Sequence, residues 1–227
     1  MRSLNLLSIA VTLRSTTVRA APSAYLGTRG MGKKSNTTNQ VNPRVDKLQQ
    51  VLNSDSSGGW DRCWEEGLTP WDLGKPTPIL LHLHKTGALR KGRALVPGCG
   101  SLSSTSPNAK YFTFLKADFF SWSPTELFDL IFDYTFFCAI EPEMRSEWAH
   151  QIQKFLKPEG ELITLMFPIS HHVGGPPFKV SIADYEEVLH PMGFKAISIV
   201  DNQLAVGPRR GREKLGRWKR SLSQSLL

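Results

Sequence analysis

Apolar residues at Val45, Leu48, Val51 and Leu52 share one face of a short helix over residues 45–57. Three further stretches carry a helical period. "PILLHLHKTGAL" reads as a helix ending near Gly87. "EPEMRSEWAHQIQKFLKPEG" has Pro142 near its start and an apolar stripe of Met144, Trp148, Ile152 and Phe155. "SIADYEEVLHPMG" is the last of them. Between the helices lie runs that are apolar throughout or rich in aromatic and branched residues. "GRALVPGCG" predicts a short buried strand entering a glycine turn. "KYFTFLKAD", "LFDLIFDYTFF", "GELITLMFPI" and "FKAISIVDN" predict further strands, and "KLGRWKR" predicts a last edge strand. Strands that alternate with helices and are apolar on both faces specify an α/β domain with a mostly parallel, doubly covered sheet. No internal repeat is present.

The 227 residues, 40% hydrophobic and 21% charged, suit one soluble domain with some excess chain. No stretch approaches the ~18 continuous apolar residues of a membrane span. The formal charge of +8 matters only through its distribution. Residues 1–45 hold seven Lys or Arg and no acid, and a second cluster, Arg209 to Arg220, holds seven against Glu213. The body between them is net acidic, which argues against a nucleic-acid groove. The basic, Ser/Thr-rich residues 1–44 have the composition of a transit peptide, so a plastid or mitochondrial destination is expected; a start at Met31 would give a cytoplasmic form. Residues 45–227 then form the domain proper. Cys63, Cys99 and Cys138 are widely spaced and odd in number, which suggests reduced thiols rather than a zinc site or disulfides. His82, His84, His171 and His172 lack ligand partners at useful spacing, so no metal is expected.

Ligands of such a sheet bind beyond the carboxyl ends of its strands. Gly98 and Gly100 follow the first strand, where a missing side chain lets a ligand approach the backbone. "PGCG" lacks the third glycine of a dinucleotide fingerprint, and the chain has neither a GK[ST] phosphate loop nor a GxSxG elbow. Oxidoreductase, NTPase and serine hydrolase readings are disfavoured accordingly. Asp118 and Phe119 stand just beyond a strand, placed to meet a heterocyclic base, and Tyr134 ends the next strand. As isolated aromatics, Phe119 and Tyr134 would be core residues. Trp60, Trp64 and Trp71, three indoles within twelve residues of turn-forming sequence, suggest a pocket instead. Aromatic faces attract cations, and a sulfonium is a cation.

"WDRCWEEGLTPWDLGKPTP", "ALVPGCG", "ADFFSWSPTELFDLIFDYTFFCAIEPEMR", "LKPEGELITLMFPISHHVGGPPFKV" and "GREKLGRWKR" together resemble the plant thiol/halide methyltransferases. These are the thiocyanate type within the thiopurine-methyltransferase-like family, and the likeness runs from about Val45 to Arg220. It implies a Rossmann-like methyltransferase that uses S-adenosyl-L-methionine. It also implies small soft anionic acceptors: thiocyanate, bisulfide, thiolates and halides. By position it assigns Trp60, Trp64, Trp71, Gly98, Asp118, Phe119 and Tyr134 to the cofactor. The loop "HHVGGPPFK" is read as a lid or substrate loop, with Phe178 as a pocket wall. Such a nucleophile is already charged, so no general base is assigned. Alignment and desolvation in a dry pocket carry the reaction.

The same likeness exposes a gap. Family members follow the glycine turn with a further Gly and Asp, a second strand ending in a ribose-binding acid, and a second helix. Here "SLSSTSPN" leads straight from Gly100 to Lys110 and the equivalent of the third strand. The shortfall is roughly thirty residues, about one βα unit; a crossover alone takes at least ~10–12. Loss of the ribose carboxylate removes one or two charge-assisted hydrogen bonds of ~1.5–3 kcal/mol each. That is a ten- to several-hundred-fold fall in affinity, at ~1.4 kcal/mol per tenfold. The sequence therefore supports two functional classes: a methyltransferase, active or impaired, or an inactive variant that binds and regulates the full-length enzyme. Oligomeric state is not legible.

Overall fold

The computed structural model describes residues 43–55, 59–99, 112–115 and 117–221. The expected transit peptide and the Ser-rich join from Gly100 to Lys110 lie outside these residues, apart from the last two residues of the former.

The first helix, α1 (Pro43–Ser54), buries Leu48 and Val51 as its apolar period requires. It packs on α2 (Gly59–Glu65), which carries Trp60 and Trp64. This helix corrects the reading of the Trp-rich segment as turns. Gly59 accommodates the close approach of Leu52, and Trp60 and Trp64 stand four residues apart on one helical face. After α3 (Pro78–Lys85) the chain enters β1, only Ala94–Leu95. The remaining elements are β2 (Phe128–Tyr134), α4 (Arg145–Phe155), β3 (Leu156–Met166), α5 (Ile182–Leu189), β4 (Phe194–Asp201) and β5 (Lys214–Arg220). Helix α5 starts with a reciprocal capping box between Ser181 and Asp184.

The sheet order is β1-β2-β3-β5-β4, with β1, β2 and β3 parallel and β5 antiparallel to both neighbours. Two expectations are corrected. The "KLGRWKR" strand is internal rather than an edge, because Leu215 and Trp218 bury into the sheet's two faces. Gly216 lets it sit so close: a Cβ there would lie 2.6 Å from the Met166 methyl and 2.7 Å from Thr164 Oγ1. The edge is β4 instead, with Ile197 and Val200 exposed. The second correction concerns "KYFTFLKAD". Among the described residues Phe112–Leu115 form no strand and only Ala117 makes a bridge. A strand persists only where a neighbour takes its backbone hydrogen bonds, and β1, the first strand of the sheet order, offers only two residues, Ala94 and Leu95.

One face of the sheet packs under α4 and α5 through Trp148, Ile152, Phe155, Tyr185, Leu189 and Trp218. The opposite face meets α3 through Ile79 and Leu83 against Leu130, Phe132, Ile163 and Leu215. Full burial of such side chains contributes ~1.5–3 kcal/mol each. Within the larger core, the Asp133 carboxylate accepts the Trp148 indole N–H at 2.9 Å and the Phe137 amide at 3.3 Å. Burial pushes its pKa up to about 7, against the opposing pull of those two donors. Among the described residues no helix is long and apolar enough to cross a membrane.

Candidate functional site

The carboxyl ends of β1, β2 and β3 open to the same side of the sheet, and the chain places its unusual residues there. Gly98 follows β1 with φ of 55°, the left-handed region, and a Cβ on it would lie 2.8 Å from the Phe136 ring. Thr135, directly after β2, has φ of 63°. A β-branched residue in that region is strained, and such strain gathers at functional sites. Its hydroxyl donates to the Tyr134 carbonyl at 2.6 Å.

The three indoles form one cluster with Trp71 in the middle. Trp60 and Trp64 meet it edge-on at 5.3 and 5.7 Å between ring centroids. All three are half-buried. Their bond to the sheet is Arg209. One of its nitrogens donates to the Trp71 carbonyl at 2.6 Å, and another donates to the Tyr134 hydroxyl. Its guanidinium lies over the Tyr134 ring at 5.1 Å and the Phe167 ring at 4.9 Å. The Tyr134 hydroxyl in turn donates to Glu213 at 2.6 Å, and Asn202 donates to the other oxygen of Glu213 at 2.7 Å. Arg209 and Glu213 are both buried, 3.9 Å apart. Burial lowers the Arg209 pKa and raises that of Glu213, each opposed by the partner's charge. This network is a brace: it holds the Trp segment against the end of β2 at the cost of desolvating two charges.

The sequence-derived candidates divide on this geometry. Trp60, Trp64, Trp71 and Tyr134 come together, though one face of Tyr134 and its hydroxyl are taken up by Arg209 and Glu213. Gly98 lies just after β1, against the Phe136 ring. Asp118 is half-exposed, and its carboxylate accepts the Phe120 amide at 3.1 Å, which fixes the turn after Ala117. Phe119 takes a core position. Its ring is 1% exposed, against Phe120, Phe136 and Phe155 at 4.9–5.4 Å, so the aromatic packing claims the faces expected to meet a base. Phe178 is half-buried, folded onto Gly175, and its amide donates to the Cys138 carbonyl at 2.7 Å. That bond ties the 171–179 loop to the segment leaving β2, and Gln49 of α1 reaches the same loop at the Pro176 carbonyl, 3.4 Å away. His172 bridges Ser170 and the Pro177 carbonyl, a loop role. Among the described residues no His, Cys, Asp and Glu group could hold a metal.

Sequence reasoning missed Arg209 and Glu213, reading both as tail charge. The signal was present: one carboxylate inside a basic run, four residues from an arginine.

The residues present fit S-adenosyl-L-methionine in part. A half-exposed carboxylate at Asp118, a glycine at the end of β1 and a partly open indole cluster suit its base, its chain and its sulfonium. The fragment of the site that would meet the ribose has no counterpart among the described residues.

Comparison with known proteins agrees with this architecture. The family model described as thiopurine S-methyltransferase matches residues 55–110 and 103–221. "Probable thiol methyltransferase 2" of Arabidopsis thaliana is 56% identical over 205 residues, covering 78% of this chain and 91% of the relative. "Thiocyanate methyltransferase 1" of Brassica oleracea is 53% identical over 192 residues, covering 72% and 85%. Among solved structures, one described by "Conversion of a Disulfide Bond into a Thioacetal Group during Echinomycin Biosynthesis" covers 69% of this chain and 86% of its own at a TM-score of 0.52 and 17% identity, a likeness of fold. The chain belongs to the thiopurine S-methyltransferase family, with the Rossmann-like fold and the S-adenosyl-L-methionine donor of such methyltransferases.

Proposed function

We propose that this chain is a methyltransferase for small soft anions, thiocyanate and thiolates foremost, with bisulfide and halides in the same class. The observation that carries the reading is that relatives above 50% identity have names that specify thiol and thiocyanate acceptors. The donor supplies an activated methyl on a sulfonium. In this reading Trp60, Trp64, Trp71 and Tyr134 wall that cation, Asp118 meets the base, and Gly98 lets the donor lie against the β1 turn. Phe178 walls the acceptor side and excludes water. A charged nucleophile in a dry pocket needs alignment rather than proton transfer, so no residue is assigned as a base.

We also propose that one βα unit of the cofactor half is missing between Gly100 and Lys110. Three observations support this. The family-model match falls into two pieces that meet over residues 103–110, inside the Ser-rich join. The alignment to the Arabidopsis thaliana relative spans 205 positions but takes up only 78% of this chain, about 177 of 227 residues. About 28 aligned positions thus face no residue here, close to one βα unit. The two-residue β1 is in keeping with a sheet that has lost a neighbouring strand. In this reading the fold survives and the hold on the donor is weakened.

The test is transfer of a labelled methyl group from S-adenosyl-L-methionine to thiocyanate, iodide and bisulfide, run up to high donor concentration. Methylated anion with a raised KM for the donor is expected. No product with any anion at saturating donor ends the active-enzyme reading and leaves the regulatory variant, whose signature is association with the full-length enzyme.

A further inference from the structure

The 209–220 run carries five arginines, and among the described residues four are committed to protein partners. Arg209 braces Trp71 and Tyr134. Arg210 donates to the Ala205 carbonyl at 3.4 Å. Arg217 forms a two-pronged pair with the buried Glu161 at 2.5 and 2.9 Å, and Arg220 donates to the Leu156 carbonyl. Arg212 differs. It is half-buried, and among the described residues its guanidinium meets no carboxylate and no carbonyl. Its one neighbour of note is the Phe167 ring, 5.4 Å away.

Its position is fixed rather than incidental. The Arg212 carbonyl accepts the Ile169 amide at 2.9 Å, pinning this segment to the chain that leaves β3. Lys214, two residues on, pairs with Met166, the last residue of β3. Arg212 therefore stands beyond the carboxyl end of β3, on the ligand side of the sheet. It shares the Phe167 ring with Arg209, which reaches Tyr134 and the Trp cluster. A partly desolvated guanidinium is costly without a counter-charge, and its N–H fork is left for a ligand. A guanidinium is also more weakly hydrated than an ammonium. It suits large, weakly hydrated anions better than small, tightly hydrated ones.

We propose that Arg212 captures the anionic acceptor, as a specificity-determining residue at the mouth of the site. This rests on the small-anion reading given above. The ligand class is a soft monovalent anion with its charge spread over sulfur or a heavy halogen. Arg212 attracts it and Phe167 supports the guanidinium, while Arg209, already paired with Glu213, keeps to its bracing role.

The test uses the full chain with saturating S-adenosylhomocysteine. Sodium iodide is titrated against tryptophan emission, with ionic strength held constant by sodium fluoride. The saturable part of the quenching reports bound iodide. Arg212→Gln should weaken that binding about tenfold, the loss of roughly one charge-assisted contact. Arg212→Lys should recover part of it. Lys219→Gln removes one exposed charge from the opposite end of β5, and should leave the titration unchanged. The proposal is overturned if Arg212→Gln titrates like the wild type, if Lys219→Gln weakens binding equally, or if the wild type shows no saturable component. Labelled methyl transfer to iodide in the same samples separates the two ideas. Arg212-dependent binding without transfer sinks the reaction and keeps the residue. Transfer with an unchanged KM for iodide in Arg212→Gln does the reverse.

Discussion

The two sides of the strand ends are held very differently. On the β2–β3–β5 side, buried polar groups are interlocked: Arg209 to Trp71, Tyr134 to Glu213, Glu213 to Asn202, Asp133 to Trp148. On the β1 side, two residues pair with β2, and among the described residues Asp118 bonds within its own turn. The first side reads as a finished pocket wall, the second as a wall resting on one neighbour. Loss of the proposed βα unit would leave the β2–β3–β5 wall standing, because the two sides draw on different contacts. Fold and activity need not fail together in such a chain.

The largest expected effect tests the firm side. Arg209→Met removes one partner of a buried pair and leaves Glu213 desolvated without its counter-charge. Such losses cost ~3–5 kcal/mol, and the accompanying drop in thermal midpoint is to be read at neutral pH. Adding Glu213→Gln should recover a good part of it, since the orphaned charge is then gone. If Arg209→Met melts like the wild type, the brace contributes nothing and the contrast between the two sides collapses. Next in size is restoration of a βα unit after Gly100, measured by calorimetry with S-adenosylhomocysteine. The expected gain is ten- to several-hundred-fold. Equal micromolar binding by both forms would mean that the β1 side suffices as it stands.

These contrasts also explain what could be read from the sequence. Helices α1, α3, α4 and α5 and strands β2, β3 and β4 follow from apolar period and caps, which are local signals. The place of β5 does not. Its alternation is visible, but insertion between β3 and β4 depends on Gly216 meeting Met166 and Thr164, which are remote in sequence. The Trp cluster was legible as three indoles within twelve residues, and Tyr134 as an aromatic at a strand end. Their shared partner was not, because Arg209 looks like any residue of a basic run until the fold buries it. Phe119 was misplaced for the opposite reason: an aromatic after a strand faces a ligand or the core with equal ease, and Phe136 and Phe155 decide for the core.

Asp133 gives a pH-dependent reading of the firm side. Its folded pKa of about 7 stands above the ordinary 3.8, so the folded state holds the proton more tightly than the unfolded chain. Stability from this group is complete below about 4 and is lost as pH rises toward 7, by a few kcal/mol in order of magnitude. Asp133→Asn should flatten that stretch of the stability profile. It should also lower stability throughout, because Phe137 and Trp148 donate to different oxygens of Asp133, and in Asn one of those donors faces the NH2 instead of an acceptor. A variant whose melting temperature still falls between pH 4 and 7 as steeply as the wild type would assign the effect elsewhere.

The smallest contrast sets two glycines against each other. Gly216→Ala places a methyl 2.6–2.8 Å from Met166, Thr164 and Trp218, inside a strand paired on both sides. No backbone there can retreat, so overpacking should cost ~2–3 kcal/mol. Gly98→Ala meets one ring, Phe136 at 2.8 Å, with a left-handed φ of 55°. The conformational penalty is ~1–2 kcal/mol, and a turn beside a two-residue strand can shift to relieve the contact. Denaturant titration should therefore rank Gly216→Ala as the more destabilised. For donor binding the ranking inverts: Gly98→Ala should weaken S-adenosylhomocysteine several-fold and Gly216→Ala hardly at all. Should Gly98→Ala bind the donor like the wild type, the β1 turn is no part of the cofactor wall, and the weak side of the site lies in Asp118 and its turn alone.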